Sequence, residues 1–140
     1  MDHGDEYDDL VLDALECYQR AVRRVALDFA RRGAVVRPLG VDLGALDILV
    51  VRYAQPGPVR EGALGALRPT RDPEEAVVEL ADTLQEKEFD EGDTTWPGCV
   101  AGHAHPPTAA VVDGVASWQC PRDRTALAPI GLPPEPGPGT

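Results

Sequence analysis

Apolar residues recur every three or four positions between Asp8 and Arg32: Val11, Leu15, Tyr18, Val22, Val25 and Phe29 fall on one stripe. That spacing predicts an amphipathic helix. Acidic residues crowd its start and arginines its end, as the helix dipole favours, and Gly33 supplies a left-handed stop. Cys17 lies at the border of the stripe and reads as a small packed residue. A second stripe, Val77, Leu80, Leu84 and Phe89, follows an explicit helix start. Asp72 fits the N-cap, Pro73 the first helical position, and Glu75 can reach back to complete a capping box. Glu91-Gly92-Asp93 closes that helix.

Between the helices the period changes. Ala34 to Leu39 and Leu46 to Tyr53 have the β-branched density of strands, with Gly40 and Gly44 punctuating the connection. The run LDILVVRY lacks clean alternation, which predicts a central strand covered on both faces. Gln55 to Pro58 is a turn, and Val59 to Leu67 is open between a weak third strand and a loop. Further on, Asp113-Gly114 inside VVDGVASW is a two-residue type I′ hairpin signal.

Chemistry concentrates around that hairpin. Two of the three cysteines and two of the three histidines lie between Trp96 and Asp123. Cys99 and His103 are close enough for a tight turn to bring both to one ion, and His105 follows on the same side of an extended segment. The hairpin then returns the chain, placing Cys120 near where Cys99 left. Thiolate and imidazole together suit Zn²⁺, so Cys99, His103, His105 and Cys120 are the expected metal ligands. A zinc ribbon would end Cys-Pro-x-Cys; here the text is Cys120-Pro121-Arg122-Asp123, so Asp123 competes for the last position. Trp96 and Trp118 flank the set and are expected to form its small hydrophobic core. With few other apolar side chains in the hairpin, the ion is expected to supply much of its local stability. Two buried cysteines and two surface histidines without metal are the plainer alternative.

These elements predict an α+β fold: two helices packed on one face of a small antiparallel sheet, with a C-terminal zinc-ribbon-like hairpin. Residues 1–93 form the body, 94–132 the metal-knuckle segment packed on it, and 133–140 a Pro/Gly-rich tail expected to be disordered. Within 140 residues one core is expected, and with aromatics at 5% it must rest on Val, Leu and Ala.

A formal charge of -11 argues against direct binding to a phosphate backbone, and fits plain solubility or a basic protein partner. The charges come in blocks. Every charged residue from Asp2 to Glu16 is acidic, nearly all from Arg20 to Arg37 are basic with Asp28 the exception, and Asp72 to Asp93 is acidic apart from Lys87. Either these are solvated helix faces, or the basic half of the first helix lies against an acidic segment. No apolar run reaches the roughly 20 residues of a membrane span, and the acidic start MDHGDEYDD lacks signal-peptide character. A cytoplasmic location is therefore expected, where reduced thiols favour metal over disulfide. The use of Ala, Arg, Gly and Pro, with Lys87 the only lysine, suggests a high-GC genome.

Several activities lack their residues. No Gly-rich phosphate loop is present, and Ser117, the only serine, sits in a predicted strand rather than a nucleophile elbow. His103-Ala104-His105 has no adjacent Glu, so neither the deaminase nor the His-Glu-x-x-His protease pattern is met. Four protein ligands would close the zinc shell, which is the structural rather than the catalytic arrangement.

The segment from Leu80 to Leu132 resembles the C-terminal part of small uncharacterised actinobacterial proteins. The shared features are Ala81-Asp82 with Gln85, Trp96-Pro97-Gly98-Cys99, His103-Ala104-His105-Pro106, Val112-Asp113-Gly114, Trp118-Gln119-Cys120-Pro121 and Ile130-Gly131-Leu132. Pro107 stands where an apolar residue usually follows in that family. The resemblance implies a zinc-knuckle-like segment and assigns no activity. The expected function is thus a non-enzymatic zinc-binding module serving protein–protein interaction or regulation, with contact expected through the acidic face from Glu74 to Glu91. The alternatives are a zinc hydrolase with one open coordination position, and an acidic nucleic-acid mimic that fills a basic protein groove.

Overall fold

A computed structural model describes residues 3–57, 61–99 and 104–132. Two helices, α1 (His3–Arg31) and α2 (Pro73–Asp90), pack on each other and on two three-stranded antiparallel sheets. The first sheet orders β1 (Arg37–Leu43), β2 (Leu49–Ala54) and β3 (Glu61–Leu67) as a meander. The second repeats that plan with β4 (Thr108–Val112), β5 (Val115–Gln119) and β6 (Ala126–Pro129). Among the described residues no helix is long and apolar enough to cross a membrane.

α1 buries the predicted stripe, centred on Ala14, Tyr18, Ala21, Val25 and Phe29, with Leu15 and Val22 at its edge. Cys17 packs within it. Gly33, at φ +71°, stops the helix. Its N–H reaches the Ala30 carbonyl at 3.3 Å and that of Ala34 reaches Phe29 at 2.9 Å, the two bonds of a Schellman motif. α2 begins as expected: Asp72 Oδ1 accepts from the Glu74 and Glu75 amides at 2.9 and 3.4 Å. The predicted reach-back of Glu75 is replaced. Thr70 Oγ1 takes the Asp72 amide at 3.1 Å and donates to the Glu75 carboxylate at 3.3 Å, so a hydroxyl bridges the two arms of the box.

The sheets depart from the sequence reading in three ways. First, Ala34–Val36 is not strand, because the Val35 and Val36 amides donate to the buried Glu88 carboxylate of α2 at 2.8 and 3.0 Å. β1 starts only at Arg37. Second, β2 is central but covered on one face. Leu49, Val51 and Tyr53 are buried, while Arg52 is exposed and Val50 half-buried on the side of Gly65. Third, the single sheet with an appended hairpin is two sheets, because Ala126–Pro129 adds a strand to the hairpin, with Trp118 opposite Ala128. Glu61–Leu67 resolves as strand β3.

The hairpin itself forms as predicted. Asp113 and Gly114 have φ of 51° and 81°, and Val112 pairs with Val115 across them. Its core does not. Trp118, Ala116, Trp96 and Ile130 belong to the same buried cluster as Phe29, Val25, Leu80 and Leu84. The tryptophans are therefore part of the main core, and the hairpin is buried against both helices.

Asp72→Ala should lower stability by about 1 kcal/mol through loss of two amide acceptors at the start of α2. Urea unfolding of the two proteins measures it, and an unchanged midpoint would place the helix start elsewhere.

Candidate functional site

The segment that carries the predicted ligands leaves α2 through a chain of tight turns. The Trp96 amide bonds the Asp93 carbonyl at 3.3 Å, and that of Gly98 bonds Thr95 at 2.7 Å. Trp96 then anchors the path. Its ring lies 4.5 Å from Phe29 and edge-on to Trp118 at 5.5 Å, and its indole N–H donates to the Arg32 carbonyl at 3.1 Å. That carbonyl sits at the end of α1, where helix geometry leaves no partner.

One side chain reaches both sides of the segment that follows. Gln85, buried on α2, donates from Nε2 to the Trp96 carbonyl at 3.0 Å and to the Pro107 carbonyl at 2.7 Å. A single amide thus pins both ends of the stretch holding Cys99, His103 and His105.

Beyond Pro107, β4 and β5 return the chain. The result brings two of the predicted ligands together: His105 Nε2 lies 3.4 Å from Cys120 Sγ. Cys120 is buried, and a closed turn follows it. Its amide bonds the Thr125 carbonyl at 2.9 Å, and its carbonyl accepts from Arg124 at 2.7 Å. Asp123 Oδ1 accepts from the Thr125 amide at 3.1 Å, so this carboxylate shapes the turn. Cys99 is half-buried. His103 lies outside the described residues, as does the predicted tail at 133–140. Among the described residues, no three His, Cys, Asp or Glu side chains are grouped to hold a metal.

The core also holds a set of polar groups that the sequence reading did not single out. Asp28, 2% exposed, accepts the Trp118 indole N–H at 2.8 Å, the Gly131 amide at 3.1 Å, and Arg32 Nε at 3.0 and 3.1 Å. Gly131 is required where it stands: its φ is +69°, and a Cβ would collide with the Arg24 carbonyl. Arg24 grips the same strand end, donating to the Ile130 carbonyl at 3.1 and 3.2 Å. Its other nitrogen pairs with Glu74 at 2.7 Å, and Glu74 in turn accepts the Ala116 amide at 3.0 Å. This ion pair is where the basic half of α1 meets the acidic segment. Two signals in the sequence pointed here: Asp28 breaks the basic block, and Gln85 and Glu88 continue the α2 stripe with polar residues.

The hydrogen bond from Arg24 holds the Glu74 carboxyl below its usual range, helped by the Ala116 amide and the Arg24 charge against an opposing effect of burial. Asp82, on the outer side of α2, moves the other way: partial burial raises it, with Glu86 and Glu79 adding repulsion. Burial likewise pushes the Tyr18 phenol up, and its hydroxyl donates to the Arg68 carbonyl at 2.6 Å.

No family model, curated protein or solved structure matches this chain.

A carboxyl lowered in the folded state stabilises above the unfolded-state value, about 4.3 for Glu. The contribution disappears as pH falls through the lowered folded value. Wild type should therefore be more stable than Glu74→Gln at neutral pH, and the two should converge in acid. Denaturant midpoints measured across pH check this; a constant difference at all pH values would remove Glu74 from the linkage.

Proposed function

We propose that the chain is a non-catalytic zinc-binding module that presents a surface to a protein partner, with zinc as a structural staple of the 99–105 loop. The observation that carries the reading is the contact between His105 and Cys120. Neighbouring N and S ligands in a tetrahedral zinc shell sit about 3.5 Å apart, given Zn–N near 2.0 Å and Zn–S near 2.3 Å. His105 Nε2 and Cys120 Sγ stand at 3.4 Å, a hydrogen-bonding distance for sulfur that also matches the length of an edge of that tetrahedron. Cys99 and His103 are the ligands proposed to complete the shell. The support is the donor chemistry, two thiolates and two imidazoles, and a loop whose ends Gln85 fixes.

The partner proposed is a protein rather than a nucleic acid, because a charge of -11 repels phosphate. Such an ion orders the loop and turns no substrate over.

One zinc ion per chain should co-purify. Chelation should speed amide exchange at 99–105 and 120–125, while Ala116 and Trp118 stay protected by the helices. Cys120→Ser, Cys99→Ser and His105→Ala should lose the metal, and Cys17→Ser should keep it. A metal-free protein whose loop is equally protected with and without chelator would sink the reading.

A further inference from the structure

The turn between β1 and β2 costs the fold free energy and returns nothing to its core. Leu46 has φ 57° and ψ 30°, and Asp47 follows at φ 58°. A left-handed leucine is strained, and strain of this kind collects at functional sites. Leu46 is nevertheless 92% exposed. The turn around it is closed, with the Gly44 amide on the Ile48 carbonyl at 2.7 Å and that of Ile48 on Ala45 at 3.2 Å. The leucine is thus held outward by hydrogen-bonded backbone.

Beside it the apolar surface continues. Leu43 and Leu12 are both exposed, and a groove of about 230 Å³ between α1 and the turn is lined by Asp8, Val11, Leu12, Leu43 and Asp47. The groove has an apolar floor and a carboxylate on each element. It opens along the half of α1 in which every charged residue is acidic.

We infer that this tip is the docking surface for a protein partner, and that the partner offers an apolar side chain flanked by Lys or Arg. The inference rests on the reading that the chain acts by holding a partner, and it moves the contact from the α2 face to the β1–β2 turn. Charge complementarity selects the occupant. A second copy of this chain would bring two acidic rims together, whereas a basic segment complements their charge while covering Leu46 and Leu12.

The test is an amide NMR titration of the full zinc-supplemented chain with an amphipathic Leu/Lys peptide, using its Leu/Glu counterpart as control. Leu46→Gly is the decisive variant, because glycine accepts the left-handed conformation and removes only the side chain. Shifts from the Leu/Lys peptide should be confined to 8–12 and 43–48. Leu46→Gly should unfold at the same or higher denaturant yet bind at least about tenfold more weakly. Shifts on the α2 face at Glu79, Asp82 and Glu86 would overturn this surface while leaving a partner elsewhere. Unchanged affinity in Leu46→Gly, equal binding of the Leu/Glu peptide, or no shifts at all would overturn it. Self-association abolished by Leu46→Gly would also overturn it, in favour of a second copy. Metal content, measured on the same samples, judges the zinc reading separately.

Discussion

A carboxylate placed out of water must be met by donors on every side, and Asp28 is the point where this chain meets that demand. Its two oxygens take an indole N–H, a backbone amide and a guanidinium. The donors come from β5, from the residue after Ile130, and from Arg32 just past the end of α1. An isolated buried charge costs several kcal/mol, and removing one partner from such a set strands the others. The carboxylate therefore ties the C-terminal sheet to the first helix in one orientation. Arg24, Glu74 and Gln85 repeat the device. Each reaches from a helix to backbone groups of the C-terminal segment: the Ile130 carbonyl, the Ala116 amide, and the carbonyls of Trp96 and Pro107.

What could be read in the sequence follows from the range of the interactions. Helices announce themselves locally, through spacing and caps, and both stand where the stripes placed them; only the start of α1 extends further, to His3. The Asp113-Gly114 hairpin is equally local. The misplaced strand at Ala34–Val36 has a distant cause, since Glu88 claims those amides across a separation of more than fifty residues. β6 was missed because Ala126–Pro129 carries little strand signal and is fixed by pairing with β5. Its backbone, not its side chains, decides.

The candidate site divides along the same line. Cysteine and histidine spacing is visible in one dimension, and the proximity of His105 to Cys120 agrees with the returning hairpin. The buried polar network is harder to read as chemistry, because polar residues on an apolar stripe look like interruptions. Asp28, Gln85 and Glu88 are such interruptions, and each turns out to satisfy backbone groups from another element. Trp96 and the C-terminal sheet consequently share their core with the helices, while Gln85 holds the Trp96 and Pro107 carbonyls on either side of Cys99 and His105. Core and loop should respond differently to the same perturbation.

Native-state hydrogen exchange along a denaturant series tests most directly whether the buried polar network makes helices and C-terminal sheet one cooperative unit. The amides of Ala116 and Trp118 in β5 and of Val25 and Phe29 in α1 should share one opening free energy, equal to that of global unfolding, in the presence and absence of chelator. A lower opening free energy for β5, collapsing further when metal is removed, would mean that the sheet is an independent metal-held unit and that Asp28 does not bind the two halves together.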